Sequence, residues 1–184
     1  MYNSVTQRWE SLPSMNTPRN LCSGAFMDKK FYVLEGTGGV GNDATVLTCG
    51  EEYDLELKMW TRIPNMSPPR NGTDGQAEMP AAAGAPPLVA VVVNNQLYAT
   101  DHADMAVRKY DEARNSWFTI GRFPKRAVSM NGWGLAFRAC GDRLIVIGSP
   151  TASGLSFIEL NSWVPREGHP QWDLLSRKRL GNCL

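Results

Sequence analysis

A tyrosine and a tryptophan seven residues apart recur three times in this chain, as Tyr2 with Trp9, Tyr53 with Trp60 and Tyr110 with Trp117. Each tyrosine is followed by Asn or Asp, at Asn3, Asp54 and Asp111. With Trp172 as a fourth member, successive tryptophans stand 51, 57 and 55 residues apart. Such a period marks an array of similar supersecondary units, each unable to bury its apolar face alone. The spacing therefore constrains the architecture more than any other property of the chain.

Between successive tryptophans lie two β-rich runs separated by a short polar turn, the sequence form of a hairpin. The first is Ala25-Phe26-Met27, turn Asp28-Lys29-Lys30, then Phe31 to Leu34; the second is Leu88 to Val93, turn Asn94-Asn95-Gln96, then Leu97 to Ala99; the third is Gly134 to Cys140, turn Gly141-Asp142-Arg143, then Leu144 to Ile147. The runs of repeats two and three are nearly continuous in apolar residues, as in strands covered on both faces. A third strand is expected around Glu51 to Asp54, Val107 to Asp111 and Phe157 to Leu160, and a fourth around Trp60, Trp117 and Trp172. Four antiparallel strands make one propeller blade. No stretch sustains apolar residues at helical spacing for three turns, which excludes a helical solenoid. The expected fold is all-β, a partial kelch-type β-propeller of about three blades plus a remnant. It forms one domain over 1–184, with the remnant at 1–12, repeat one at 13–63, repeat two at 64–120 and repeat three at 121–184. The recurring Tyr2, Trp9, Tyr53, Trp60, Tyr110, Trp117 and Trp172 read as structural aromatics wedging blades together. A buried indole covers on the order of 200 Å².

The 184 residues are 42% hydrophobic, enough for a core, and 19 Lys and Arg balance 18 Asp and Glu. No global field is available to gather nucleic acid or acidic lipid. Cys22, Cys49, Cys140 and Cys183 are scattered without a C-x-x-C pair, which argues against a zinc knuckle or redox motif. No basic start followed by an apolar stretch stands at the N-terminus, so the sequon Asn71-Gly72-Thr73 reads as an unmodified loop. The most apolar segment, Ala81 to Val93, contains Pro86-Pro87 and is too short to span a membrane. An intracellular protein, cytoplasmic or nuclear, is expected.

Met15 to Arg19 followed by Cys22-Ser23-Gly24, then Phe31-Tyr32-Val33, Glu52-Tyr53-Asp54 with Trp60, Ile63 to Met66, Gly132 to Phe137, and Gly141 to Gly148 together resemble the plant F-box/kelch-repeat proteins. The resemblance covers essentially the whole chain. It implies a kelch propeller that recruits a protein substrate, in a family whose N-terminal F-box docks on the Skp adaptor of a cullin-RING ubiquitin ligase. No F-box is read in these residues, and Skp and cullin are implied as partners only through such a segment. The family's glycine pair after the second strand is matched by Gly38-Gly39, while Thr100-Asp101 and Gly148-Ser149 stand at the expected places later.

Gly36-Thr37-Gly38-Gly39-Val40-Gly41 fits G-x-G-x-x-G after a strand, with Glu56 further on. A dinucleotide fingerprint needs a helix immediately afterwards, and Asn42 to Cys49 has no helical face, so a glycine bend is the expected role. His102 and His169 are the only histidines; Asp101, His102 and Asp104 read as a solvated loop rather than a metal site. Some kelch propellers are enzymes, among them the copper galactose oxidases and the iron-dependent specifier proteins, but neither ligand constellation is found in this sequence. There is no Gly-x-Ser-x-Gly elbow. No catalytic, cofactor or metal residue is assigned; a protein-interaction module is expected, with a stand-alone kelch scaffold without a ligase role as the alternative and a kelch-fold enzyme third.

Because the chain reverses at every turn, the strand-two to strand-three loops and the connections between blades share one face. That face holds Gly36 to Thr48, Thr100 to Ala106, Gly148 to Gly154, Pro13 to Arg19, Pro64 to Pro87 and Pro124 to Asn131. Arg19, Arg70 and Arg126 recur near the start of successive repeats and form a candidate partner-binding rim for carboxylate or phosphate groups. The other reading pairs each arginine with an acidic residue. The long Pro64 to Pro87 loop is a candidate determinant of partner specificity.

Overall fold

The computed structural model describes residues 1–39, 45–67, 89–101, 105–124, 136–150 and 157–179. Their regular structure is entirely strand: β1 (Tyr2–Asn3), β2 (Arg8–Trp9), β3 (Ser23–Met27), β4 (Lys30–Leu34), β5 (Thr37–Gly38), β6 (Thr45–Val46), β7 (Gly50–Asp54), β8 (Met59–Ile63), β9 (Val89–Val93), β10 (Gln96–Asp101), β11 (Ala106–Asp111), β12 (Ser116–Arg122), β13 (Ala136–Cys140), β14 (Arg143–Gly148), β15 (Phe157–Trp163) and β16 (Asp173–Arg179). Three four-stranded antiparallel sheets result, β3-β4-β7-β8, β9 to β12 and β13 to β16, with two-stranded pairs β1-β2 and β5-β6. The sheets are the blades of a kelch-type β-propeller, and among the described residues they do not close into a ring.

The inner hairpins are tighter than their sequence suggests. Met27 pairs with Lys30, Val93 with Gln96 and Cys140 with Arg143, so each turn has two residues, and Lys30, Gln96 and Arg143 belong to strands. Asp28 and Lys29 (φ 48° and 62°) and Asn94 and Asn95 (φ 49° and 57°) are left-handed throughout. That is the turn whose twist matches the flanking strands.

The seven-residue spacing has a direct geometric cause. Tyr2 lies opposite Trp9, Tyr53 opposite Trp60 and Tyr110 opposite Trp117 across the outer hairpins, with ring centroids 5.4, 5.1 and 5.0 Å apart. The residue after each tyrosine closes the turn. Asn3 Oδ1 accepts from the N–H groups of Val5 and Thr6, Asp54 Oδ1 from Glu56 and Leu57, and Asp111 Oδ1 from Arg114. Two residues before each tryptophan, Gln7, Lys58 and Asn115 adopt positive φ. Short polar side chains that bond backbone two or three residues on are turn formers for this reason.

The indole N–H groups clamp the segments that cross between blades. Trp60 Nε1 donates to Pro13 O at 2.8 Å, Trp117 Nε1 to Met66 O at 2.7 Å and Trp172 Nε1 to Arg122 O at 3.0 Å. In each case the acceptor lies where the chain leaves the preceding unit. Trp9, 80% exposed, has no such partner among the described residues.

Two apolar seams hold the blades together. In the first, Ala25, Met27, Tyr32 and Leu34 face Ala90, Leu97, Ala99 and Tyr110, with Met66 between. In the second, Val91, Val93, Tyr98 and Val107 face Phe137, Leu144, Val146 and Trp163, with Phe123 between. Successive residues of the middle blade serve opposite seams, which is why its inner strands are apolar at nearly every position.

Candidate protein-binding face

The inner strands β3, β9 and β13 lie side by side. A concavity of about 480 Å³ opens along them, lined by Cys22, Ser23, Ala90, Val92, Arg138 and Ala139 among others. Ser23 Oγ accepts from Ala90 N at 2.8 Å, joining two inner strands across a seam.

At the loop end of the first blade, Arg19 organises the structure from beneath the surface. Its guanidinium lies 2.9 Å from Glu51 Oε1 with neither side chain exposed. Nη1 also donates to the carbonyls of Glu35 at 2.9 Å and Cys49 at 2.8 Å. Glu51 accepts further from the backbone N–H groups of Asn16 at 2.7 Å and Thr17 at 2.8 Å. Burial pushes the Glu51 carboxyl up, but the Asn16, Thr17 and Arg19 donors outweigh it and hold the group below the usual carboxylate range. The expectation that Arg19 stands on a partner-binding rim is corrected: all its reach is spent inside the blade. Arg70 and Arg126 lie outside the described residues, as do His102 and the Pro68 to Pro87 part of the long loop.

The backbone above this pair is tightly turned. Leu21 and Glu35 have φ of 53° and 55° and Gly36 of 96°; a Cβ on Gly36 would come within 2.6 Å of Asn20 O. Asn20 and Thr37 exchange two backbone hydrogen bonds, at 2.9 and 2.8 Å. Leu21 is left 63% exposed on the loop face, and Cys22 and Thr48 are exposed as well.

Among its described residues, Gly36 to Gly39, the glycine-rich segment forms no helix start. Gly38 lies in β5, which pairs with β6, and Gly39 takes φ 90°. Chain pairing also revises the repeat alignment. Phe31 is opposite Tyr53, and Tyr98 opposite Lys109 places Leu97 opposite Tyr110. Counting on from there, Thr100-Asp101 correspond to Leu34-Glu35, inside a regular strand, and Gly148-Ser149 to Glu35-Gly36. Neither is the counterpart of Gly38-Gly39, and Gly148 is a buried strand-end residue.

Two residues were not singled out by sequence. Trp163 lies opposite Leu144, the place that Tyr53 and Tyr110 hold in their blades, and its ring is 5.9 Å from Trp172. The signal is there, an aromatic nine rather than seven residues before the tryptophan, hidden by a longer turn. Glu51 sits two residues before Tyr53 and therefore on the same strand face, which is the pattern that would have found it.

On the opposite end, Asp28 and Asn95 exchange hydrogen bonds between the first two hairpins, and Tyr32 OH donates to Glu112 Oε1 at 2.9 Å. His169 is exposed, with Nδ1 3.3 Å from Ile120 O. Among the described residues no three His, Cys, Asp or Glu side chains converge as metal ligands, and no helix is long and apolar enough to cross a membrane.

No family model matches the sequence. The chain is 59% identical over 183 residues to F-box/kelch-repeat protein At1g26930 of Arabidopsis thaliana, covering 99% of this chain and 43% of that protein. It is 66% identical over 179 residues to F-box/kelch-repeat protein SKIP11 of Arabidopsis thaliana, covering 97% of this chain and 38% of that protein. It thus spans about two fifths of the length of these relatives. Among solved structures, that of YjhT superposes with a TM-score of 0.59 at 16% identity, over 92% of this chain and 55% of that one.

Proposed function

Because this chain belongs to the plant F-box/kelch-repeat family, we propose that its loop face holds another protein for ubiquitination, as the substrate-recognition propeller of an SCF-type ubiquitin ligase. The observation that carries this reading is the 66% and 59% identity to F-box/kelch-repeat proteins over nearly all of the chain. The internal economy of the blades supports it. Trp60, Trp117, Trp172, Arg19 and Glu51 are committed to holding connections in place, so the loop ends are supported on rigid strands and free to vary in sequence. Leu21, Cys22 and Thr48 are described residues of the contact surface, and Cys22 also lines the concavity along β3, β9 and β13. The reading carries with it an intracellular location, cytoplasmic or nuclear, where Skp and cullin assemblies act.

The test is to purify the full-length protein from plant tissue with the proteasome blocked and identify what accompanies it. Skp adaptor and cullin together with a ubiquitinated protein are the expected companions. A bound protein without Skp or cullin would instead establish a kelch interaction scaffold with no ligase role.

A further inference from the structure

The concavity along β3, β9 and β13 is lined by unbroken runs of chain, Ser23 to Ala25 and Val89 to Val92, together with Arg138 and Ala139. Side chains alternate between the two faces of a strand, so consecutive residues meet one space only along the strand's edge. Each of the three strands stands at the end of its sheet and pairs on one side alone. The phase of pairing tells which backbone groups look outward. Met27 with Lys30 and Val93 with Gln96 close two-residue turns, and the bonded positions of an antiparallel ladder then fall on every second residue. Ser23 and Ala25 are thus spent on β4, and Val89 and Val91 on β10. The amide and carbonyl groups of Gly24, Ala90 and Val92 are directed to the free edge, where Ala90 N–H already donates to Ser23 Oγ.

Arg138 gives this edge a sign. Counted from the turn-closing residues Met27, Val93 and Cys140, it occupies the strand position of Ala25 and Val91, which are buried and apolar, and it is itself exposed. Its Nη1 donates to Phe137 O at 2.8 Å, which braces the guanidinium against the wall; such a group carries five N–H donors in all. The described residues that share the concavity with it are small or aliphatic and uncharged. The segments flanking the β13-β14 hairpin, 124–135 and 149–156, contain no Asp or Glu. A braced guanidinium beside outward-facing backbone groups suits a carboxylate brought in on an extended chain, since the planar fork matches a carboxylate with two parallel hydrogen bonds.

We propose that this groove takes an extended acidic segment of the protein that the loop face holds, with its backbone along the free edge of β9 and an Asp or Glu carboxylate on Arg138. Main-chain bonds to a strand edge supply affinity whatever the guest's sequence, and the single cation supplies the choice of side chain. Gly24, Ala25, Ala90 and Ala139 leave the backbone of a guest room to approach. The proposal deepens the protein-holding reading and rests on it, because it names the chemistry of the segment recognised; it does not require a ligase.

The test passes a random library of blocked hexapeptides over the immobilised full-length protein and sequences what is retained. Asp and Glu are expected to be enriched in the retained peptides, and Arg138→Gln to abolish that enrichment. Arg8→Gln, at an exposed cation elsewhere, should leave it intact. A retained peptide remade with Gln for its Glu should lose about tenfold or more in affinity for the unaltered protein, a readout that does not depend on the variant folding. The absence of acidic enrichment, or its survival in Arg138→Gln, overturns the proposal. The reading it rests on is judged separately by cross-linking in plant tissue. If no protein is held there, that reading fails and takes this proposal with it. If a protein is held equally by the unaltered chain and by Arg138→Gln, the reading stands and the groove assignment alone falls.

Discussion

The Arg19 guanidinium and the Glu51 carboxylate meet at 2.9 Å with both side chains fully buried, and between them they tie three segments of chain to one blade. Removing one partner leaves an uncompensated buried charge, a loss on the order of 3–5 kcal/mol. Arg19→Ala is therefore expected to shift the urea midpoint strongly downward without moving the strand signal of the folded baseline. The folded Glu51 carboxyl is depressed relative to its unfolded value. Its contribution is then present above the ordinary carboxylate range and is lost as pH falls through the folded pKa. Glu51→Gln should lower stability at neutral pH and flatten the acid limb of a stability-against-pH curve.

The indole clamps make a prediction that packing alone would not. Trp117→Phe keeps an aromatic ring opposite Tyr110 but removes the N–H held by the Met66 carbonyl. A loss of about 1–2 kcal/mol from the hydrogen bond and its orphaned acceptor is expected in chemical denaturation. Trp60→Phe, which frees the Pro13 carbonyl, should add to it, because the two clamps lie in different blades.

The turn after Tyr53 depends first on an acceptor oxygen, with the carboxylate charge adding to it. Asp54→Asn preserves the acceptor, as Asn3 does in the first hairpin, and should keep most of the thermal stability. Asp54→Ala should lower the melting temperature. The Leu57 and Glu56 N–H groups hold the Asp54 carboxyl below its usual range, so its contribution fades as pH falls, and the Asn variant should not show that fade.

Gly50 is the one residue type that fits its place. A Cβ there would stand 2.4 Å from Met66 Sδ and 3.0 Å from the Val33 carbonyl. Gly50→Ala is expected to cost on the order of 1–3 kcal/mol through overpacking, with Met66 as the side chain that moves.

The strand plan was legible in sequence because its signals are local. Tyr53 and Trp60 are joined by a short turn, and Asp28-Lys29 or Asn94-Asn95 announce a hairpin within two residues. Arg19 with Glu51 was not legible as a pair. Thirty-two residues separate them, and only the docking of the incoming segment on β7 brings them together. Trp163 was missed for a smaller reason: two extra residues in its turn break the spacing, although not the pairing. The alignment of Thr100-Asp101 with Gly38-Gly39 failed because it followed distance along the chain, whereas register to the strand-three aromatic decides equivalence.

The central claim is that the loop face, not the turn face, holds another protein. The direct measurement is quantitative cross-linking of the full-length protein in plant tissue with two paired variants. Leu21→Asp with Thr48→Arg alters exposed loop-face residues, and Lys29→Asp with Glu56→Lys reverses an exposed ion pair at the other end. The account predicts that the first pair removes at least one cross-linked protein that the second retains, with both variants folded by circular dichroism. Identical cross-linked sets from all three proteins, or a loss confined to the turn-face pair, would contradict it.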